Sequence, residues 1–120
     1  MYSSGTGTIS DSNLKTNVQT LSNAINTISQ LRGVSYIYSC NLSSNIGLIA
    51  QEVYDVIPEV VSTMDDGTMA VFYGNLSGYF IEGFKELNSN IITLTSNNLI
   101  LQNQISYLQN ILISSNIISN

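Results

Sequence analysis

Residues 80–112 read FIEGFKELNSNIITLTSNNLILQNQISYLQNIL, and the spacing of the apolar residues in that stretch decides the architecture. Phe84, Ile91, Asn98, Ile105 and Leu112 fall at heptad position a, and Phe80, Leu87, Leu94, Leu101 and Leu108 at position d. The pattern predicts one helix from about Asn75 to Ile118, roughly 65 Å long at 1.5 Å per residue. A helix of that length does not fit against a domain of 120 residues. Alone it would expose a long apolar ridge, so partners must cover it. Asn98 interrupts the seam with an amide, which lowers stability but penalises slipped registers. Positions e and g carry mostly Asn, Gln and Thr, so salt bridges do not choose the partner. Ile at a with Leu at d leans towards two strands, whereas Ile92, Leu99, Ile100 and Ile113 at b and c widen the apolar face towards a larger bundle. The heptad by itself leaves dimer and trimer open.

The bulk composition narrows the function. Net charge is −5, only 9% of residues are charged, and none is charged from Leu87 to Asn120. An acidic, weakly charged chain argues against nucleic acid and against anionic membrane surfaces as partners. Cys40 is the only cysteine and there is no histidine, so no intrachain disulfide is expected, nor a metal or other cofactor. Cys40 reads as a small, partly buried apolar residue. No apolar run reaches the roughly 20 residues that span a bilayer. Met1–Ile9 lacks the basic and apolar regions of a secretion signal.

Ahead of the rod, the chain reads as a stub over 1–9 and a small mixed head over 10–74, with the rod occupying 75–120. Val18, Leu21, Ile25, Ile28 and Leu31 recur at steps of three and four, which predicts a first helix that Asp11 or Ser12 caps and Gly33 stops, with Arg32 in its last turn. Val34–Ser39 reads as a strand and Cys40–Asn45 as a polar loop. A second helix runs from Ile49 to about Ile57 and ends at Pro58. In it Ala50 and Val53 face inward, and Gln51 is placed for a buried amide contact. Asp65-Asp66-Gly67 between Val60–Met64 and Thr68–Tyr73 is a hairpin signal, and its acidic pair reads as turn chemistry rather than a metal site. The fold class is therefore α+β, mainly α, with a β-hairpin head and a long C-terminal coiled-coil helix.

Chemistry gathers at Ser10-Asp11-Ser12-Asn13-Leu14-Lys15. A serine becomes a nucleophile when a base takes its proton, and in a chain without histidine the tunable nitrogen base is lysine. Such a lysine must be neutral near physiological pH, which desolvation or a neighbouring cation favours. On a regular helix or strand a spacing of five turns the two side chains apart, so Ser10 and Lys15 meet only across an irregular turn or between subunits. The plainer alternative is that Ser10 and Asp11 cap a helix and Lys15 is a solvated side chain.

Three blocks carry a family resemblance: Ser10-Asp11 with Leu14-Lys15 and Asn17-Val18, then Gly47-Leu48-Ile49-Ala50-Gln51-Glu52-Val53 with Pro58, then the helix from Tyr73 through Phe84-Lys85-Glu86-Leu87. Together they resemble the chaperone-of-endosialidase family, the self-cleaving C-terminal intramolecular chaperone domains of viral tailspikes and fibres. The resemblance implies a parallel homotrimer, with Phe80, Phe84, Leu87, Ile91, Leu94, Asn98, Leu101, Ile105, Leu108 and Leu112 at the interface. It implies a client domain upstream in the same polypeptide and a place in virion assembly, in the virion or the host cytoplasm. It also implies a single-turnover serine endopeptidase whose Ser/Lys dyad, Ser10 and Lys15, cuts between Ile9 and Ser10. The family usually carries Arg where this chain has Asn13. A trimerisation module that never cuts is the alternative.

Overall fold

A computed structural model describes residues 7–115. Most of the stub and the expected helix end at Ile118 lie outside the described residues. The chain is α+β, with two small antiparallel hairpins and a long C-terminal helix. Its elements are α1 (Ala24–Ile28), β1 (Val34–Ile37), β2 (Ser44–Gly47), α2 (Ala50–Val56), β3 (Val61–Thr63), β4 (Met69–Val71) and α3 (Ser77–Ser114). The radius of gyration is 24.6 Å, against about 14 Å for a compact chain of this length. Helix α3, at 38 residues, is what draws the molecule out.

The head folds around α2. Val53 and Ile57 lie one helical turn apart and pack with Val60 and Leu76 into a core that Leu31, Leu48, Val61, Val71 and Tyr79 flank. Ile57 leaves the helical region, at φ −135° and ψ 76°, as the proline after it disfavours helical backbone, and Pro58 opens a short 3-10 turn that leads into β3. The Asp65-Asp66-Gly67 turn closes β3 on β4, with Gly67 at φ +88°. There Asp66 Oδ1 accepts the Thr68 N–H at 2.9 Å, and that bond holds the Asp66 carboxyl below its usual range. Asp66 therefore does turn chemistry.

Five expectations change. The first helix shrinks to Ala24–Ile28, because Asn17 and Asn23 adopt left-handed backbone at φ 52° and 56° and break the apolar repeat before and at the helix start. The segment before it is irregular, with Val18 and Leu21 exposed, and the helix stops short of Gly33. Arg32 is not a helix-end cation but an ion-pair partner of Glu52, with Nη2 2.7 Å from Oε2. The polar loop is shorter than expected, since Ser44 and Asn45 pair with Ile37 and Tyr36 in β2. Cys40 lies in the exposed turn of that hairpin rather than partly buried, and Gln51 is exposed, so it makes no buried amide contact.

Helix α3 presents two different faces. Leu76, just before it, and Tyr79, Gly83 and Glu86 along it follow steps of three and four and meet the head and α1. The a/d seam lies one position further round, about 100° away. Phe84 is 72% exposed there, and Phe80, Leu87, Ile91, Leu94, Leu101, Ile105 and Leu108 are all exposed. Asn98 is exposed too, and Leu112 is half-buried. The head thus occupies the neighbouring face and leaves the seam open.

Candidate functional site

Asp11 builds the local geometry of the N-terminal site. Its side chain accepts the Asn13 N–H at 2.8 Å and its carbonyl accepts the Leu14 N–H at 3.1 Å, which winds Ser12–Leu14 into one 3-10 turn. Lys15 follows in extended conformation, with its N–H bonded to the Ser12 carbonyl. The turn folds the lysine back, and Lys15 Nζ donates to Ser10 Oγ at 2.5 Å. A spacing that regular structure holds apart is closed here within one chain by an irregular turn. Asp11 caps that turn rather than a longer helix.

The pair stands in water. Every residue from Gly7 to Asn23 is exposed, including Ile9 and Ser10 on either side of the peptide bond of interest. The first fixed contacts come further along. Val18 and Leu21 run beside Gly78, Ile81 and Glu82 of α3, close enough that a Cβ on Gly78 would stand 3.1 Å from Leu21 Cδ1. Ala24 is fully buried and packs with Ile25 and Ile28 over Gly83.

Helix α1 starts without a cap of its own, because Asn23 makes no side-chain bond to it. Glu86 supplies the acceptors from 62 residues further along the chain: Oε2 takes the Ala24 N–H at 2.8 Å and Oε1 the Ile25 N–H at 3.0 Å. These two backbone bonds, Ile25 first, hold the Glu86 carboxyl below its ordinary range. Nothing in the sequence singled out Glu86 beyond its place in the third block. The signal available was an acidic residue on α3 opposite an uncapped helix start.

The second block has its own physical reason. A Cβ on Gly47 would stand 2.5 Å from Tyr73 Oη and 3.4 Å from the Tyr36 ring. Tyr73 Oη accepts the Leu48 N–H at 2.9 Å, tying β2 to the entry of α3. Tyr36 and Tyr38 meet edge to face at 5.1 Å, their hydroxyls 3.2 Å apart, and the hydrogen bond to Tyr38 followed by burial pushes Tyr36 up to about 12. Only glycine lets the backbone approach this tyrosine cluster so closely. The rest of the block is structural: Val53 is in the core, and Glu52 answers Arg32.

With this geometry in view, residues 10–62 match the model of a peptidase family described as chaperone of endosialidase. The matched segment contains Ser10, Lys15, Gly47 and α2, and it is similar to that family. No curated protein matches the chain. Among the described residues, no helix is long and apolar enough to cross a membrane.

Proposed function

We propose that the chain is a C-terminal intramolecular chaperone: it trimerises through α3, gathers three copies of an upstream viral fibre or tailspike-like client, and then releases itself by cutting between Ile9 and Ser10. The observation that carries this is the open seam of α3. Only five apolar residues, Ala24, Val53, Ile57, Val60 and Leu76, are buried among the described residues, whereas the seam leaves its large side chains in water. Covering each of those side chains gives about 1.5–3 kcal/mol, so the seam holds on the order of 10 kcal/mol per chain that only association releases. The family to which the matched segment is similar supports the chaperone role.

Self-cleavage draws its support from the Lys15–Ser10 contact beside the bond to be cut. Lys15 takes the hydroxyl proton, Ser10 Oγ attacks the Ile9 carbonyl, and the Ser10 amine leaves with a proton returned by the lysine. Water then hydrolyses the resulting ester. Water-exposed groups make poor acyl-transfer machinery, because desolvation strengthens every charge interaction within a site. Neighbouring subunits of the trimer supply that cover, so cleavage follows assembly. The same exposure, together with Asn13 in place of the usual arginine, favours a second reading in which the module trimerises and does not cut. Expression behind a folded fusion partner separates the two. A released product that begins at Ser10 and vanishes in Ser10→Ala and Lys15→Ala is the expected result, and full-length chains in a stable trimer would establish the non-cutting module instead.

A further inference from the structure

Three acidic or basic side chains line the start of α3, and they divide their work. Glu82 and Lys85 bind each other at 3.2 Å on the surface. Glu86 points instead at backbone, gripping Ala24 and Ile25 with both carboxylate oxygens. The grip lies beside Gly83, where Ala24 is fully buried, and the path of the chain upstream continues over Gly78, where Leu21 rests. Residues 18–28 therefore follow one flank of α3, held at both ends. In heptad terms Gly83 and Glu86 immediately precede the seam residues Phe84 and Leu87, so a helix arriving on the seam meets a partner whose N-terminal strap is already laid alongside.

We propose that Glu86 is a positioning residue for self-cleavage. Its carboxylate ties the strap that leads back to Lys15 and Ser10 onto the same helix that carries the seam. Assembly of the seam then determines where the dyad stands relative to the neighbouring subunits. The inference rests on the proposed self-cleavage and adds its control: the residue that couples assembly to the cut touches neither the scissile bond nor the seam. With the grip removed, three helices still associate, but the dyad loses its fixed place and spends less time under the cover of a neighbour.

The test uses the full chain behind a folded fusion, with native mass and first-order cleavage rate measured on the same samples. Glu86→Ala is expected to assemble like the unaltered chain and to cut roughly tenfold more slowly or worse, the scale set by losing bonds to a charged acceptor. Glu86→Gln keeps one carbonyl oxygen for one of the two N–H groups and is expected to recover part of the rate. A residue that only stabilised the fold would lower melting temperature and trimer content along with the rate; the positioning role lowers the rate at equal trimer content. An assembled Glu86→Ala chain that cuts at the unaltered rate overturns the inference. If Glu86→Ala fails to assemble, Leu21→Ala decides, since it loosens the strap without changing α3: slowed cutting supports the inference and an unchanged rate overturns it. Unaltered trimers that never cut would remove the self-cleavage reading, and this inference with it.

Discussion

Gly83 offers a test in which two opposing effects can be weighed. A Cβ at this position would stand 2.6 Å from Ile28 Cδ1, 3.7 Å from Ile25 Cδ1 and 3.9 Å from Ala24 Cβ. Apolar carbons rest about 3.5–4.0 Å apart, so in Gly83→Ala the tip of Ile28 must retreat by about 1 Å. That adjustment costs about 0.5–1.5 kcal/mol. Replacing glycine inside a helix returns about 0.8–1 kcal/mol. The terms nearly cancel, and Gly83→Ala is expected to melt close to the unaltered chain. Gly83→Val adds two methyl groups towards Ala24, which is fully buried, and towards the α1 backbone, which has no flexible tip to give way. Overpacking of this kind costs about 1–3 kcal/mol, and a β-branched residue regains only part of the helix penalty of glycine. A loss of about 2 kcal/mol follows, or about 8 °C at about 4 °C per kcal/mol for a domain of this size. Thermal melts followed by circular dichroism, at fixed chain concentration because association shifts the midpoint, give the answer. Exchange of the Ala24 and Ile25 amides should quicken in the valine variant alone. If Gly83→Val melts and exchanges like Gly83→Ala, α1 does not dock on Gly83 and the placement of the strap is wrong.

Four further outcomes are expected. Leu76→Ala, in a nearly inaccessible site, should lower stability by about 3 kcal/mol, seen as an earlier urea midpoint at unchanged slope. Gly47→Ala should push Tyr73 Oη away from the Leu48 N–H and cost about 1–3 kcal/mol, and a Leu48 amide that keeps its exchange protection would contradict this. The Glu86 carboxyl is held below its ordinary value of 4.5, so its contribution is fully present above that value and is lost as pH falls through its lower folded one. The melting difference between the unaltered chain and Glu86→Gln should accordingly close on acidification, and a difference that persists under strongly acidic conditions would refute the assignment. Asn98→Ile should raise the melting temperature of the assembled rod while loosening its register, read by native mass and by cross-links between chosen seam positions.

Much of the fold was legible in the sequence where local chemistry and tertiary packing agree. Pro58 ended α2, Asp65-Asp66-Gly67 closed β3 on β4, and the heptad drew α3, because in each case the residue's own backbone preference is what the fold uses. The first helix was overread. Its apolar repeat is real, since Leu21, Ile25 and Ile28 all meet α3, but left-handed asparagines at 17 and 23 let the chain reach those contacts mostly without helix. Strand β2 was missed because Ser44 and Asn45 are polar and exposed and show no alternation to read. At the N-terminal site the residue types were visible, and so was the need for an irregular turn. That a single chain closes the spacing, through Asp11 and one 3-10 turn, depends on backbone angles that no spacing rule encodes. The role of Glu86 lay hidden for a simpler reason: its partners are backbone N–H groups far away in sequence, which leave no mark in side-chain pattern.

The account depends on α3 being unable to keep its seam dry without copies of itself. Sedimentation equilibrium of the purified 120-residue chain at micromolar concentration measures this most directly. A mass three times that of one chain, 13.1 kDa before the cut at Ser10, is the predicted result. A single species at the mass of one chain, with α3 still helical, would contradict it.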